Sequence, residues 1–447
     1  MAFTRPVRRW AEREGPLPPA AVPGSRLRAK DAFFLDVEVP SCPQHSCALL
    51  ELRWDKPDPP SAAWIAGVFA ERLGRDTEWA RLVVARDRLG RPRWATDPRI
   101  APKELVQVHD SSEASLADLV SQRLNIPFRP GEPLWRADVL QDGHEGRFSL
   151  VVSVHHSLFD GQGALAAARA IMDEGGADRG GAAPETGDVA RSVTDRFASA
   201  TQLARGTLGL ARSGRAPQLA WRERGRRDFA FAGVEGAAIA EARKALGASN
   251  AELLVVAVAE AVAAQISQMG APLPHHLRAM VALRGPARRK SSGNWNEAVP
   301  IDVPLEGELP QRLAQVRRSL HVARTNLEPQ ASSFVMSFIE AALPPGLRRP
   351  AARSAYNGRW FNFVVSIMAG SPRPLHLAGA EVRGLYPLLP LAPGAPLSLA
   401  AVAWAGRLCL GTTTDPGALA AGAITDQLRH TLAAGAGRGS PGEAIRP

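Results

Sequence analysis

Residues 147–161, Arg-Phe-Ser-Leu-Val-Val-Ser-Val-His-His-Ser-Leu-Phe-Asp-Gly, decide how the rest of this chain is read. Phe148, Leu150, Val151, Val152 and Val154 make a nearly unbroken apolar run, which predicts a strand over Arg147 to His155 buried on both faces. The strand ends on His155 and His156, Asp160 and Gly161 follow, and the Ala-rich stretch Gly163 to Met172 reads as a helix. An imidazole accepts and returns a proton near neutral pH, and a strand end opening into a loop can present it to a cleft. A bare His-His pair also suits a hydrogen-bonded core pair, idle surface residues or two metal ligands. Asp160 and Gly161 at this spacing favour a general base at a cleft, with Asp160 anchoring the loop through an arginine. Metal is disfavoured because adjacent strand residues point to opposite faces, and by the same alternation only one of the two histidines faces the cleft.

Outward from this run, Pro133 to Leu140 reads as a second strand, joined to the first by a hairpin-like loop over Gln141 to Gly146. Upstream, Asp31 to Leu35 is a short element and Ser46 to Leu52 a strand. Ser61 to Leu73 and Ser115 to Leu124 read as helices. Downstream, residues 174–192 have the composition of a linker, and an amphipathic helix is expected from about Thr194 to Leu210. A second series begins near Asp228. It comprises helices Ala237 to Leu246 and Asn250 to Gln268, strands His276 to Leu283 and Ala298 to Val303, and a helix from Leu309 to Leu327. A strand Phe361 to Ile367, a strand pair over Leu397 to Thr412 and a helix near Gly417 to Leu432 complete it. Mixed elements in both halves predict an α/β fold of two domains. The expected divisions are a loose leader 1–26, an N-terminal domain 27–173 with the histidine motif, a crossover 174–227, a C-terminal domain 228–436 and a tail 437–447.

The chain has 447 residues and a formal charge of +10, and only five of its 54 basic residues are lysines. That excess favours anionic partners. The arginines are spread along the whole length without a groove-reading module, so no nucleic-acid partner is expected. Cys42, Cys47 and Cys409 are too few for a disulfide framework and fit a reducing compartment as buried thiols. Cys42, His45 and Cys47 resemble half of a zinc site, with no second pair to complete it. The N-terminal residues lack the apolar core of a signal peptide, and Glu260 interrupts the most apolar stretch, Leu253 to Ala264. A cytoplasmic protein is expected, with peripheral attachment to an acidic inner-membrane or lipid-droplet surface. No Gly-x-Ser-x-Gly elbow or Walker loop is present, and no Gly-x-Gly-x-x-Gly run follows a predicted strand.

Pro133-Leu-Trp135 together with Phe148 to Gly161 resembles the bacterial wax ester synthase/diacylglycerol acyltransferase family. That family lies within the His-His-x-x-x-Asp-Gly superfamily, alongside chloramphenicol acetyltransferase and condensation domains. Asp31-Ala-Phe-Phe-Leu35 with Pro43 to Ala48 is similar to its N-terminal signature, and Leu377 to Leu388 to its C-terminal region. The resemblance covers about residues 27–433. It implies two chloramphenicol-acetyltransferase-like domains forming a pseudodimer with a central tunnel. It implies an acyl-CoA-dependent O-acyltransferase forming wax esters or triacylglycerol from fatty alcohol or diacylglycerol. His156 would be the general base, with His155, Asp160 and Gly161 supporting it and Arg284 paired to Asp160. Pro133, Leu134, Trp135 and Asn250 would shape the substrate channel. Acyl-CoA enters as substrate, and no cofactor or metal is expected. Other readings within the same chain are a polyketide, sugar or amine acceptor, or a non-catalytic acyl-ligand-binding protein. Two departures stand out: Asn250-Ala251 where the family has Asn-Asp, and Ser366-Ile-Met-Ala-Gly-Ser371 where it has Ser-Asn-Val-Pro-Gly-Pro.

Overall fold

The computed structural model describes residues 22–434 apart from 77–78, 89, 111–114, 130, 142–145, 175–206, 209, 211–213, 215, 220–225, 284–296 and 327. In the first half the elements run β1 (Val22–Arg26), α1 (Ala29–Val37), β2 (His45–Arg53), α2 (Ala62–Asp76), β3 (Leu82–Arg86) and β4 (Pro92–Thr96). They continue with β5 (Val106–Asp110), α3 (Leu116–Asn125), β6 (Trp135–Gln141), β7 (Arg147–His155) and α4 (Gly161–Ala170). The second half holds β8 (Asp228–Glu235), α5 (Gly236–Leu246), α6 (Asn250–Gln268), β9 (His276–Leu283), β10 (Glu297–Pro304), α7 (Leu309–Thr325), α8 (Glu328–Ala342) and α9 (Pro345–Ala355). It closes with β11 (Phe363–Ala369), β12 (His376–Leu377), β13 (Ala380–Leu388), β14 (Leu397–Trp404), β15 (Arg407–Thr414) and α10 (Ala421–Ala434).

Two six-stranded sheets organise the molecule, ordered β12-β13-β2-β7-β6-β5 and β10-β9-β11-β14-β15-β8, beside a small β1-β4-β3 sheet. The apolar run at 147–155 is central in the first sheet, between β2 and β6, as its two-sided burial requires. Antiparallel register with β2 sets His45 opposite His155 and Leu50 opposite Leu150. The outer strands are less expected. β12 and β13 lie in the stretch the sequence assigned to the second domain, yet β13 pairs antiparallel with β2 and completes the first sheet. One core packs around that sheet and draws Phe361, Met368, Val402 and Trp404 from the second half. A second core is built around α6, β9, β10 and β14.

α6 is long and apolar enough to cross a membrane by length and composition, but 61% of its most apolar window is buried within the protein. Glu260, which interrupts that run, is paired to Arg312 at 2.7 Å. Its start is fixed by a capping box, Ser249 accepting from the Glu252 N–H while the Glu252 carboxylate accepts from the Ser249 N–H.

Three local expectations change. Val22–Arg26, inside the expected leader, is a strand paired with β4. The helix expected to end at Leu327 ends at Thr325, and two further helices, α8 and α9, fill a stretch left without elements. Prolines concealed them. Pro329 and Pro345 lie in first turns, where a missing N–H costs nothing, and Pro350 lies inside α9. The expected linker at 174–192 and the helix from Thr194 lie almost wholly outside the described residues.

Candidate active site

β7 delivers His155 into the protein and the loop to α4 carries His156. His155 is 1% exposed, whereas His156 is half-buried. Two hydrogen bonds fix the end of the strand: the His155 N–H donates to the Leu134 carbonyl at 2.9 Å and the His156 N–H to the Gln44 carbonyl at 2.8 Å. Leu134 and Gln44 belong to the chain on either side, so both flanks hold the turn. Ser157 closes it. Its backbone N–H donates to His155 Nδ1 at 3.1 Å, and its hydroxyl lies 2.7 Å from the same atom. Nδ1 therefore accepts, and the ring proton sits on Nε2.

Nε2 of His155 lies 3.5 Å from Oε1 of Glu38, the residue that caps the end of α1. Both groups are buried, and the Gln44 N–H donates to the same carboxylate oxygen at 3.0 Å. Burial alone would raise the Glu38 carboxyl, but the adjoining His155 imidazole, with the Gln44 N–H, brings it below the ordinary glutamate value. His45, opposite His155 on β2, is also lowered, but there burial is what lowers it. Complete burial pushes it down to about 3, against the pull of Glu38, so it stays neutral and donates through Nε2 to the Arg123 carbonyl. Phe34, one helical turn before Glu38, stacks on His156 with ring centroids 4.0 Å apart and planes 19° from parallel. α1 thus touches both histidines with two side chains.

Asp160 is buried and acts as N-cap of α4, accepting the Gly163 N–H at 2.8 Å. Gly161 serves a close approach. A Cβ there would lie 2.5 Å from the Met368 sulfur, which reaches over from β11 in the second half. Arg284, expected to pair with Asp160, lies outside the described residues.

Beside Asp160 and Gly161 an apolar cavity opens between the first sheet and α2 and α4. Phe69, Trp79, Val154, Phe159, Met368 and Leu388 are among its walls. Met368, one of the departures in 366–371, is therefore part of this wall. Its neighbour Ile367 faces the opposite way and packs against the second core, as alternation along β11 requires. Trp135 stands one layer behind the cavity rather than in it. Its indole donates to the Ala80 carbonyl at 2.9 Å and its ring meets the edge of Trp79, which is a wall residue. Leu134 is buried in the first core, and Pro133 borders a surface hollow with Asp97 and Glu104. Asn250 opens α6 beside the second core, away from the cavity walls. Cys42 and Cys47 are buried with separate partners, the Leu391 carbonyl and the Ser153 hydroxyl. Among the described residues no three His, Cys, Asp or Glu side chains converge on one point as metal ligands.

The sequence assigned Glu38 no role, and took Phe34, Gln44 and His45 only as parts of the N-terminal signature and, for His45, of half a zinc site. A signal was present: Asp31, Phe34 and Glu38 are spaced to fall on one face of a helix. What that face meets is not written in the spacing.

The wax ester synthase/diacylglycerol acyltransferase catalytic domain matches residues 27–268, and the C-terminal domain of the same enzymes matches residues 292–434. A Mycobacterium tuberculosis protein that carries the name diacylglycerol O-acyltransferase is 26% identical over 476 residues, spanning 94% of this chain and 93% of its own. Among solved structures, the wax ester synthase/diacylglycerol acyltransferase from Marinobacter aquaeolei VT8 superposes with a TM-score of 0.64 at 20% identity. It covers 93% of this chain and 100% of that one. The first condensation domain of the CDA synthetase superposes with a TM-score of 0.63 at 17% identity, over 93% of this chain and 97% of its own. The fold is accordingly that of two chloramphenicol-acetyltransferase-like halves.

Proposed function

The chain belongs to the wax ester synthase/diacylglycerol acyltransferase family and is an acyltransferase, and we propose that it esterifies a lipidic hydroxyl with the acyl group of an acyl-CoA, using His156 as general base. One observation carries the reading: the half-buried His156, clamped by Phe34, lies in the same short loop whose Asp160 and Gly161 wall an apolar cavity.

In this mechanism His156 takes the proton of the acceptor hydroxyl while that oxygen attacks the thioester carbonyl carbon. The carbonyl electron pair moves onto its oxygen in a tetrahedral intermediate, then returns and breaks the C–S bond. The leaving sulfur takes the proton back from His156, releasing the free thiol of CoA and the ester. No acyl group passes to the protein. His155 and Glu38 position the loop and Asp160 starts α4, so none of them needs to exchange a proton with substrate. The almost wholly apolar cavity suits an aliphatic chain, which favours fatty alcohol or diacylglycerol over a sugar or amine acceptor.

Purified protein incubated with palmitoyl-CoA and a panel of alcohols is expected to release CoA thiol. His156→Ala is expected to lower that rate by at least about 100-fold. Thiol release that survives the substitution overturns the role of His156, and turnover confined to polar acceptors overturns the lipidic acceptor.

A further inference from the structure

The turn between α8 and α9 is chemically unlike the surface around it. Residues 338–347 read Phe-Ile-Glu-Ala-Ala-Leu-Pro-Pro-Gly-Leu, with Glu340 the one ionisable side chain. Phe338 is 52% and Leu347 56% exposed, and Ala341, Ala342, Pro344, Pro345 and Gly346 are exposed between them. Phe338 stacks with Phe334 one helical turn earlier, ring centroids 6.3 Å apart. A single exposed apolar residue needs no explanation, but a continuous uncharged projection of this length does.

Arginines border it. Arg349 follows the turn half-buried, Arg348 before it is buried, and the turn between β3 and β4 brings exposed Arg88 alongside. That turn touches the projection, since a Cβ on Gly90 would lie 3.5 Å from Cγ of Pro345. Arg86, Arg348 and Arg349 all act by charge on Asp36, and Arg349 lies 3.6 Å from it. Glu340 adds no opposing charge at neutral pH. Burial, then the neighbouring Asp36, pushes its carboxyl up to about 8.

We propose that the α8–α9 turn docks the protein on an anionic phospholipid surface, with Phe338 and Leu347 among the acyl chains and the exposed Arg88 and half-buried Arg349 at headgroup level. The pattern matches interfacial segments, in which an apolar tip enters the chain boundary while long cationic side chains stay with the phosphates. A second copy of this chain is a poorer occupant, because two molecules each carrying +10 would meet through arginine-bordered tips. The location also has a consequence for catalysis. α1 packs on both α8 and α9, and its Phe34 stacks on His156, so the docked face lies one helix away from the proposed base. The docking itself does not depend on the acyltransfer chemistry.

Vesicle sedimentation with the full chain tests it, using phosphatidylglycerol/phosphatidylcholine vesicles against phosphatidylcholine alone. The parent is expected to bind the anionic vesicles, more weakly as salt rises. The double variant F338D/L347D should bind at least about tenfold more weakly, with Arg88→Glu also weakened. Leu273→Asp makes one such charge change at a residue 50% exposed elsewhere and should bind as the parent does. Equal loss in Leu273→Asp would mean that net charge alone drives adsorption and would overturn the proposal. So would unchanged binding of the double variant, equal parental binding to neutral vesicles, or a lipid-free dimer that F338D/L347D splits in sedimentation velocity.

Discussion

Phe34 and Glu38 sit one helical turn apart, and between them they face both histidines of the motif, one by stacking and one through its carboxylate. Glu38 is thus a positioning residue: it touches His155, and His155 orders the loop that carries His156. Glu38→Gln keeps the shape and removes the charge. We expect kcat to fall roughly 10–100-fold with little change in KM, the size of one lost charge-assisted contact. Glu38→Asp should recover part of the loss, and a KM effect with kcat unchanged would contradict the positioning role. The linkage has a definite sign. Because the Glu38 carboxyl is lowered in the folded protein, its stabilisation is present above the ordinary glutamate value of ~4.3 and is lost as pH falls through the lowered one. The stability gap between parent and Glu38→Gln should therefore be constant near neutrality and close in acid.

At the scale of elements, α1 links the histidine loop to the second half, because its other face meets α8 through two buried acids. Asp36 and Glu340 are 4% and 8% exposed, and burial raises both carboxyls. A raised folded value means that folding is favoured while the proton stays on. Stability then falls as pH climbs from ~4.3, where an unfolded glutamate ionises, to about 8, where Glu340 does. Glu340→Gln keeps the hydrogen-bonding shape and removes that ionisation. Thermal midpoints across this range should decline less steeply for the variant than for the parent; parallel curves would show that the acid pair is not what titrates. Elements were also where the sequence reading was strongest. The apolar run at 147–155 and the strand pair expected over Leu397 to Thr412 both follow from neighbours within a few residues. α8 and α9 escaped because their prolines look like helix breakers until their first-turn positions are known.

For the whole molecule, the decisive contact is β13 against β2. Leu388 pairs with Cys47 and Leu385 with Leu50, so a segment more than 300 residues downstream supplies the edge of the first sheet. The same strand contributes Leu385, Pro387 and Leu388 to the cavity wall, and Met368 of β11 closes on Gly161. The two halves therefore share a core rather than abut. Residues 1–227 expressed alone should be insoluble or rapidly proteolysed, since β2 would expose an unpaired edge and half a cavity. Co-expression with 228–447 should restore a soluble, protease-resistant complex. A stable, monomeric first half would show that the exchange is dispensable.

The sequence by itself determined the motif, the strand that carries it, the class of fold and the residue proposed as base, because each is written in short-range spacing or in a contiguous match. Strand alternation led the sequence to expect only one of His155 and His156 at the cleft, but the strand ends at His155 and His156 lies in the loop beyond it. Only the tertiary structure decided what each histidine meets: Glu38 and Ser157 for one, Phe34 for the other. It likewise set Trp135 behind the wall and Met368 in it. Periodicity tells a residue which face of its own element it occupies. It says nothing of which distant element will cover that face, because that choice is made by packing the whole chain at once.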